Sequence, residues 1–201
     1  MVASKAEIFN IALNILGVSI PVEKADTTDN RYVLLNNYYE LARDYVLKDF
    51  DWNFASTFKS LSLCNIDNNL ENFSQYRYCY AYPNNCICAR DIFSKDDYVL
   101  QKFSISCIES TNEKVILTNV EEAVLRYTRR INKENFFTPE FSMALAYYLA
   151  GLTSNVIVGS IQKGEIAYQK YVQILKHAKM LNANEGADNI FSDNTYLDTR
   201  G

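Results

Sequence analysis

The chain has 201 residues, a net charge of −4 and hydrophobic side chains at 48% of its positions. That length and apolar fraction suit one domain, or one domain with an elaborated insertion, around a core of its own. The acidic balance argues against general nucleic-acid binding by the chain as a whole, and no stretch reads as the roughly 20 apolar residues of a membrane span.

The first residues, Met1 to Lys5, run straight into a helix without a signal-peptide layout. Ser4 and Glu7 are spaced as a capping box. The helix they open is apolar on nearly every side (Ile8, Phe9, Ile11, Ala12, Leu13, Ile15, Leu16), which predicts burial. Gly17 stops it. Asp26 to Asp29 supply N-cap candidates for a second helix. Its stripe is Leu35, Tyr38, Tyr39, Ala42, Tyr45 and Val46, with Asn36, Glu40, Arg43 and Asp44 on the opposite face. This helix ends near Asp49, just before the only tryptophan, Trp52.

From Ala55 to Ile131 the period shortens. Phe58, Leu61 and Leu63 predict one strand, and residues 65–75 a polar loop. Tyr76, Tyr78, Tyr80 and Tyr82 alternate with other residues, which places four tyrosines on one face of an extended segment. Cys86 to Phe93, Tyr98 to Leu100, Phe103 to Ile108 and Val115 to Leu117 are further strands. The segment Glu122 to Ile131 alternates again: Ala123, Leu125, Tyr127 and Ile131 share one face and Val124, Arg126, Thr128 and Arg130 the other. The expectation is one antiparallel β layer of five or six short strands.

Thr138-Pro139-Glu140 opens a third helix with stripe Phe141, Leu145, Tyr148, Leu149, Leu152 and Val156, and with Ala144, Ala146, Ala150 and Gly151 small enough for a close neighbour. After a break at Gly159-Ser160, a fourth helix carries two adjacent stripes. One is Ile161, Tyr168, Val172 and Leu175; the other is Tyr171, Ile174, Ala178 and Leu181. Residues 182–201 lose both periods and read as an extended tail with the apolar pairs Ile190-Phe191 and Tyr196-Leu197. The fold class is therefore α+β: a bundle of four main helices (1–54 and 135–185), an antiparallel β domain inserted between the helix pairs (55–134), and a C-terminal tail (186–201).

Catalytic patterns are sparse. The single histidine, His177, sits on a helix between lysines. The acid pairs Asp49/Asp51, Asp96/Asp97 and Glu121/Glu122 lie at element boundaries, where solvated carboxylates are ordinary. Six glycines form no phosphate-cradling motif. Five cysteines occur between residues 64 and 107; Cys86-Ile87-Cys88 has one intervening residue, which is not a zinc or redox spacing, and the thiols read as reduced strand hydrophobes. Asp26 to Asn30 lacks the glycine and trailing glutamate of a calcium loop. No catalytic residue, metal or cofactor is expected. The tyrosines at 76–82 read as packing residues, since a base-stacking platform normally comes with a basic groove and only Arg77 is local. Arg126, Arg129, Arg130 and Lys133 form the one concentrated basic patch, either a solvated strand edge or arginines facing a neighbouring acidic surface or a phosphate backbone.

Several segments resemble the tail tubular protein A family, the head-to-tail adaptor ring proteins of short-tailed bacteriophages. Ile8 to Gly17 is similar to the family's N-x-A-L-x-x-L-G first helix, and Ala42-Arg43-Asp44 with Trp52-Asn53-Phe54-Ala55 to its helix-end signature. Tyr80 to Cys86 is similar to its Y-x-Y-x-x-P-x-D-C turn, shorter before Pro83 and with Asn85 in place of aspartate. Ile116-Leu117-Thr118, Leu125-Arg126-Tyr127 and Phe136 to Phe141, followed by Ala144-Leu145-Ala146 and Leu149-Ala150, continue in the family's order. The resemblance covers roughly residues 4–185. It implies a non-enzymatic virion protein of the neck and tail, assembled in the host cytoplasm. It also implies a dodecameric ring that joins the portal to a downstream tail ring or nozzle and passes DNA, with no membrane partner. Tyr168, Tyr171, Ile190, Phe191, Tyr196 and Leu197 are then the expected subunit or portal interface, and Arg126, Arg129, Arg130 and Lys133 a channel or interface patch. The alternatives are a connector or stopper ring at another tail position and a tail-associated hydrolase, which would need Asp49, Asp51 or His177 for turnover.

Overall fold

The computed structural model describes residues 4–23, 28–64, 75–95, 99–109 and 111–187, with side chains through Leu181. The fold is α+β, with four α-helices and two antiparallel sheets among the described residues. The chain divides into two compact units, Met1–Phe54 with Ile131–Gly201, and Ala55–Arg130.

The first unit holds α1 (Lys5–Ile15), α2 (Asn30–Asp49), α3 (Pro139–Val158) and α4 (Ile161–Ala187). The Ser4 hydroxyl accepts from the Glu7 amide and the Glu7 carboxylate accepts from the Ser4 amide at 2.6 Å, completing the capping box. At the other end Gly17 takes φ +82°. Its N–H donates to Asn14 O, and the Val18 N–H donates to Leu13 O, a Schellman closure that a side chain at Gly17 would strain. Asn10 donates to and accepts from the Val22 backbone, folding the following loop back onto α1.

α3 is the hub, packed against α1, α2 and α4. It is long and apolar enough to cross a membrane by length and composition, contrary to the sequence expectation. Half of that apolar window is buried within the unit, the position of a core helix. Thr138 caps its start, and Gly159 ends it at φ +64°.

The predicted stripes need three corrections. On α2, Arg43 is buried rather than solvated, with its guanidinium on Asp44, whereas Tyr38 and Tyr45 are exposed. On α3, Leu152 and Val156 face outward. On α4, the buried line is Gly164, Ala167, Tyr171 and Ala178, so the stripe of Ile161 and Tyr168 is left exposed. One cause underlies the α3 and α4 changes: small residues set the closest approach of two helices, and the large side chains beside them are turned aside. α4 also stays helical to Ala187, so residues 182–187 are helix and not tail; 188–201 lie outside the described residues.

The second unit contains β1 (Ser56–Ser60), β2 (Tyr78–Ala81), β3 (Cys86–Ser94), β4 (Leu100–Gln101), β5 (Phe103–Ile108), β6 (Glu113–Thr118) and β7 (Ala123–Arg129). These form two sheets rather than one layer, ordered β1-β7-β3-β4 and β2-β6-β5. The chain changes sheets just after β1. The Leu61 N–H still donates to Ala123 O on β7, whereas Ser62 O accepts from the Ala81 N–H and the Cys64 N–H donates to Cys79 O, both on β2. The strand expected through Leu63 is thus split at a corner. Tyr80, Ile116, Ile92, Leu125 and Tyr127, drawn from both sheets, share one core. The Tyr80 hydroxyl donates to the carbonyls of Val120 and Glu121.

The tyrosine alternation is also broken. Tyr78 and Tyr82 pack with Tyr80, but Tyr76 joins a separate cluster around Cys79, Val115 and Leu117. The Asn119 side-chain amide accepts from the Arg77 N–H and donates to Gln75 O, so the chain turns there and the two-residue period starts only at Tyr78.

Candidate interaction surface

The C-terminal end of α2 is built around Trp52. Its indole N–H donates to Val46 O at 2.8 Å. That carbonyl is among the last four of α2, which have no partner inside the helix. The ring meets Phe50 and Phe141 edge-on at 4.8 and 5.2 Å, and Phe54 and Phe137 extend the cluster. One side chain therefore caps a helix and anchors the aromatic end of the α2–α3 core.

Farther along the same helices lie four tyrosines. Tyr45 of α2 stacks on Tyr148 of α3 at 4.6 Å with an interplanar angle of 8°. Tyr148 contacts Tyr171 of α4 at 5.1 Å, and Tyr171 contacts Tyr168 at 5.8 Å. The Tyr171 hydroxyl donates to Asp49 Oδ2 at 2.6 Å, tying α4 to the end of α2. Burial, and then the Asp49 carboxylate, push the Tyr171 hydroxyl far above its ordinary pKa. Tyr45 is raised by desolvation and then by Asp49, and Tyr148 by desolvation and then by its neighbour Tyr45. All three are held as neutral phenols.

Beside this cluster α3 and α4 approach very closely. A Cβ placed on Gly164 would stand 2.3 Å from Ser154 Oγ and 3.0 Å from Gly151 O. The close approach pushes larger side chains to either flank and leaves an open groove of about 530 Å³, lined by Tyr148, Leu152, Ile161 and Tyr168 over a floor of Gly151 and Gly164. Ile161 is 66% exposed, Val156 69% and Tyr168 47%. An apolar face with a rigid aromatic rim suits burial against another protein surface.

Of the expected interface residues, Tyr168 lies on this face. Tyr171 is wholly buried beneath it and serves as its support, because its hydroxyl is bound to Asp49. Ile190, Phe191, Tyr196 and Leu197 lie outside the described residues. The basic patch is not a uniform cluster. Arg126 is ion-paired with Asp91, its cross-strand partner, at 2.5 Å. Arg129 and Arg130 are exposed in the β unit, whereas Lys133 is an exposed residue of the helical unit. Among the residues needed for the hydrolase alternative, Asp49 accepts from Tyr171 and His177 is exposed on α4.

Sequence reading missed the outward placement of Leu152 and Val156 on α3. The available signal was Gly151, which with Gly164 marks the line where two helices meet, so Leu152, one position away, flanks that line and Val156, one turn on, follows it. The β unit has a separate cavity of about 410 Å³, lined by Cys64, Tyr82, Pro83, Cys86, Glu113 and Lys114, with the Lys114 ammonium 4.9 Å above the Tyr82 ring.

No protein-family model matches this chain, and no curated protein matches it.

Proposed function

We propose that this chain is a ring subunit of a bacteriophage neck, a head-to-tail adaptor that joins the portal to the tail and leaves a bore for DNA. The resemblance of segments spread in order from Ile8 to Ala150 supports the viral reading. The structural observation that carries the assembly half is the exposed apolar face of Leu152, Val156, Ile161 and Tyr168 along α3 and α4. In this reading the four helices act as a bundle, and bundles sit side by side through that face. The inserted β unit meets the next tail component, and the C-terminal tail reaches the portal or an adjacent subunit. The work needs large interfaces and a bore that does not hold DNA, and a net charge of −4 is compatible with both.

Native mass spectrometry of the purified chain, alone and with the portal protein encoded in the same genome, tests the reading. Twelve copies in a closed ring, or twelve recruited to the portal, are expected. A monomer that ignores the portal overturns the proposal.

A further inference from the structure

Where the chain changes sheets, it lays a short extended segment against the edge of β2 that β6 leaves open. Leu63 pairs with Tyr80 in an antiparallel bridge. Ser62 O accepts from the Ala81 N–H at 3.0 Å, and the Cys64 N–H donates to Cys79 O at 2.9 Å. This register sets Cys64 directly opposite Cys79, both side chains on the sheet face that carries Val115 and Leu117. Opposed residues of a hydrogen-bonded antiparallel pair have Cα atoms about 5.5 Å apart, within the span of roughly 4.4–6.8 Å that a disulfide bridges. Both thiols are free.

We propose that Cys64 and Cys79 are an oxidation site, a dithiol that closes to a cross-strand disulfide on meeting a small-molecule disulfide and so staples the 62–64 segment to β2. The two sulfurs have separate roles. Cys64 is partly buried and lines the open 410 Å³ cavity, whose wall carries both a carboxylate, Glu113, and an ammonium, Lys114, so that a small zwitterionic disulfide such as oxidised glutathione reaches its sulfur. Cys79 is buried beneath it. Burial raises both thiols, Cys79 to about 12. Cys64, the one of the two sulfurs that reaches the cavity, is therefore the attacking one.

Its Sγ attacks one sulfur of oxidised glutathione. The glutathione S–S bond breaks, the Cys64–glutathione mixed disulfide forms, and the departing thiolate takes up the proton from Cys64. Cys79 then loses its proton and attacks Cys64 Sγ, expelling the second glutathione as a thiol. The two cysteines lose two electrons and glutathione disulfide gains them. The second step is the slow one, because it needs the buried, high-pKa thiol. Cys86 lies on β3, in the other sheet, and Cys107 lies on β5, which β6 separates from β2. This chemistry does not depend on the assembly role.

The test incubates the folded full-length protein with oxidised glutathione, alkylates the remaining thiols in denaturant and maps peptides without reduction. The expected product has lost two hydrogens and yields one cross-linked peptide pair, Cys64 with Cys79, while Cys86, Cys88 and Cys107 are alkylated. Dithiothreitol reverses it. Oxidation slows hydrogen exchange at the Ala81 amide and raises the unfolding midpoint by roughly 5–10 °C. Cys79→Ser should trap glutathione on Cys64. The wild-type map needs no variant to fold and decides the matter alone. Two alkylated thiols at 64 and 79, a persistent glutathione adduct on Cys64 above a free Cys79, or a bridge to another cysteine each overturn the proposal.

Discussion

Trp52 illustrates how much one side chain can contribute when it makes both a polar and an apolar contact. Its N–H partners a helix-end carbonyl and its rings fill the aromatic cluster with Phe50 and Phe141. Trp52→Phe keeps most of the packing and orphans Val46 O, so urea unfolding should show a loss of about 1–2 kcal/mol. Trp52→Ala also opens a cavity and should cost about 3–5 kcal/mol. Tyr171 gives a pH-dependent counterpart. Its folded pKa is raised above that of the unfolded chain, so its contribution is complete below the ordinary tyrosine pKa of 10.0 and is lost as pH rises beyond it. Tyr39, held by burial and by its bond to Glu134, acts in the same direction. Stability should therefore fall on the alkaline side. Tyr171→Phe should be less stable than wild type at neutral pH by about 1 kcal/mol, through the lost bond to Asp49, with the gap narrowing at high pH. Denaturant melts from neutral to alkaline pH read both effects.

The helices stand or fall on their ends and their closest contacts. At α1 the Glu7 carboxylate is held below its ordinary pKa by the Ser4 amide and then the Ser4 hydroxyl. A depressed carboxylate stabilises the fold above its unfolded value and loses that contribution as pH falls through the folded value. Glu7→Gln should accordingly flatten the acid limb of the stability curve, as measured by circular dichroism melts across the acid range. At the α3–α4 crossing, Gly164→Ala gains intrinsic helix propensity but drives a methyl into Ser154 Oγ and Gly151 O. Overpacking outweighs propensity there, and a net loss of about 1–2 kcal/mol is expected. Adding Ser154→Ala should recover part of it, because the nearest clashing atom is then gone. Additive losses in the double variant would contradict this account of the crossing.

In the adaptor reading, ring assembly depends on what the helical unit leaves uncovered. Val156→Asp and Ile161→Asp place charges at positions that are 69% and 66% exposed. Such changes should leave the subunit's melting curve within about 0.5 kcal/mol of wild type while abolishing ring formation. Size-exclusion chromatography with light scattering separates the two outcomes, and rings that persist with both charges would remove α3–α4 from the seam. Truncation after Ala187 preserves the full α4 helix. In the adaptor reading it leaves a folded subunit that attaches weakly to the portal, which co-sedimentation with portal particles measures.

The amino-acid sequence alone specifies the local features. The Ser4–Glu7 box, the stops at Gly17 and Gly159, the Thr138-Pro139 start and the buried side of Ala123, Leu125 and Tyr127 all depend on residues within a turn or a strand of one another. The division into α and β segments is legible for the same reason, since side-chain period is a short-range property. The tertiary structure decided the pairings. Nothing near Leu61 in sequence indicates that the chain leaves β7 for β2, because the partners lie far along the chain. Arg43 is buried although its helix face reads polar, and Leu152, Val156 and Ile161 are exposed although theirs read apolar. Burial at those positions is set by which helix arrives and how near it comes, and Gly151 and Gly164 set that distance by having no side chain to hold the helices apart.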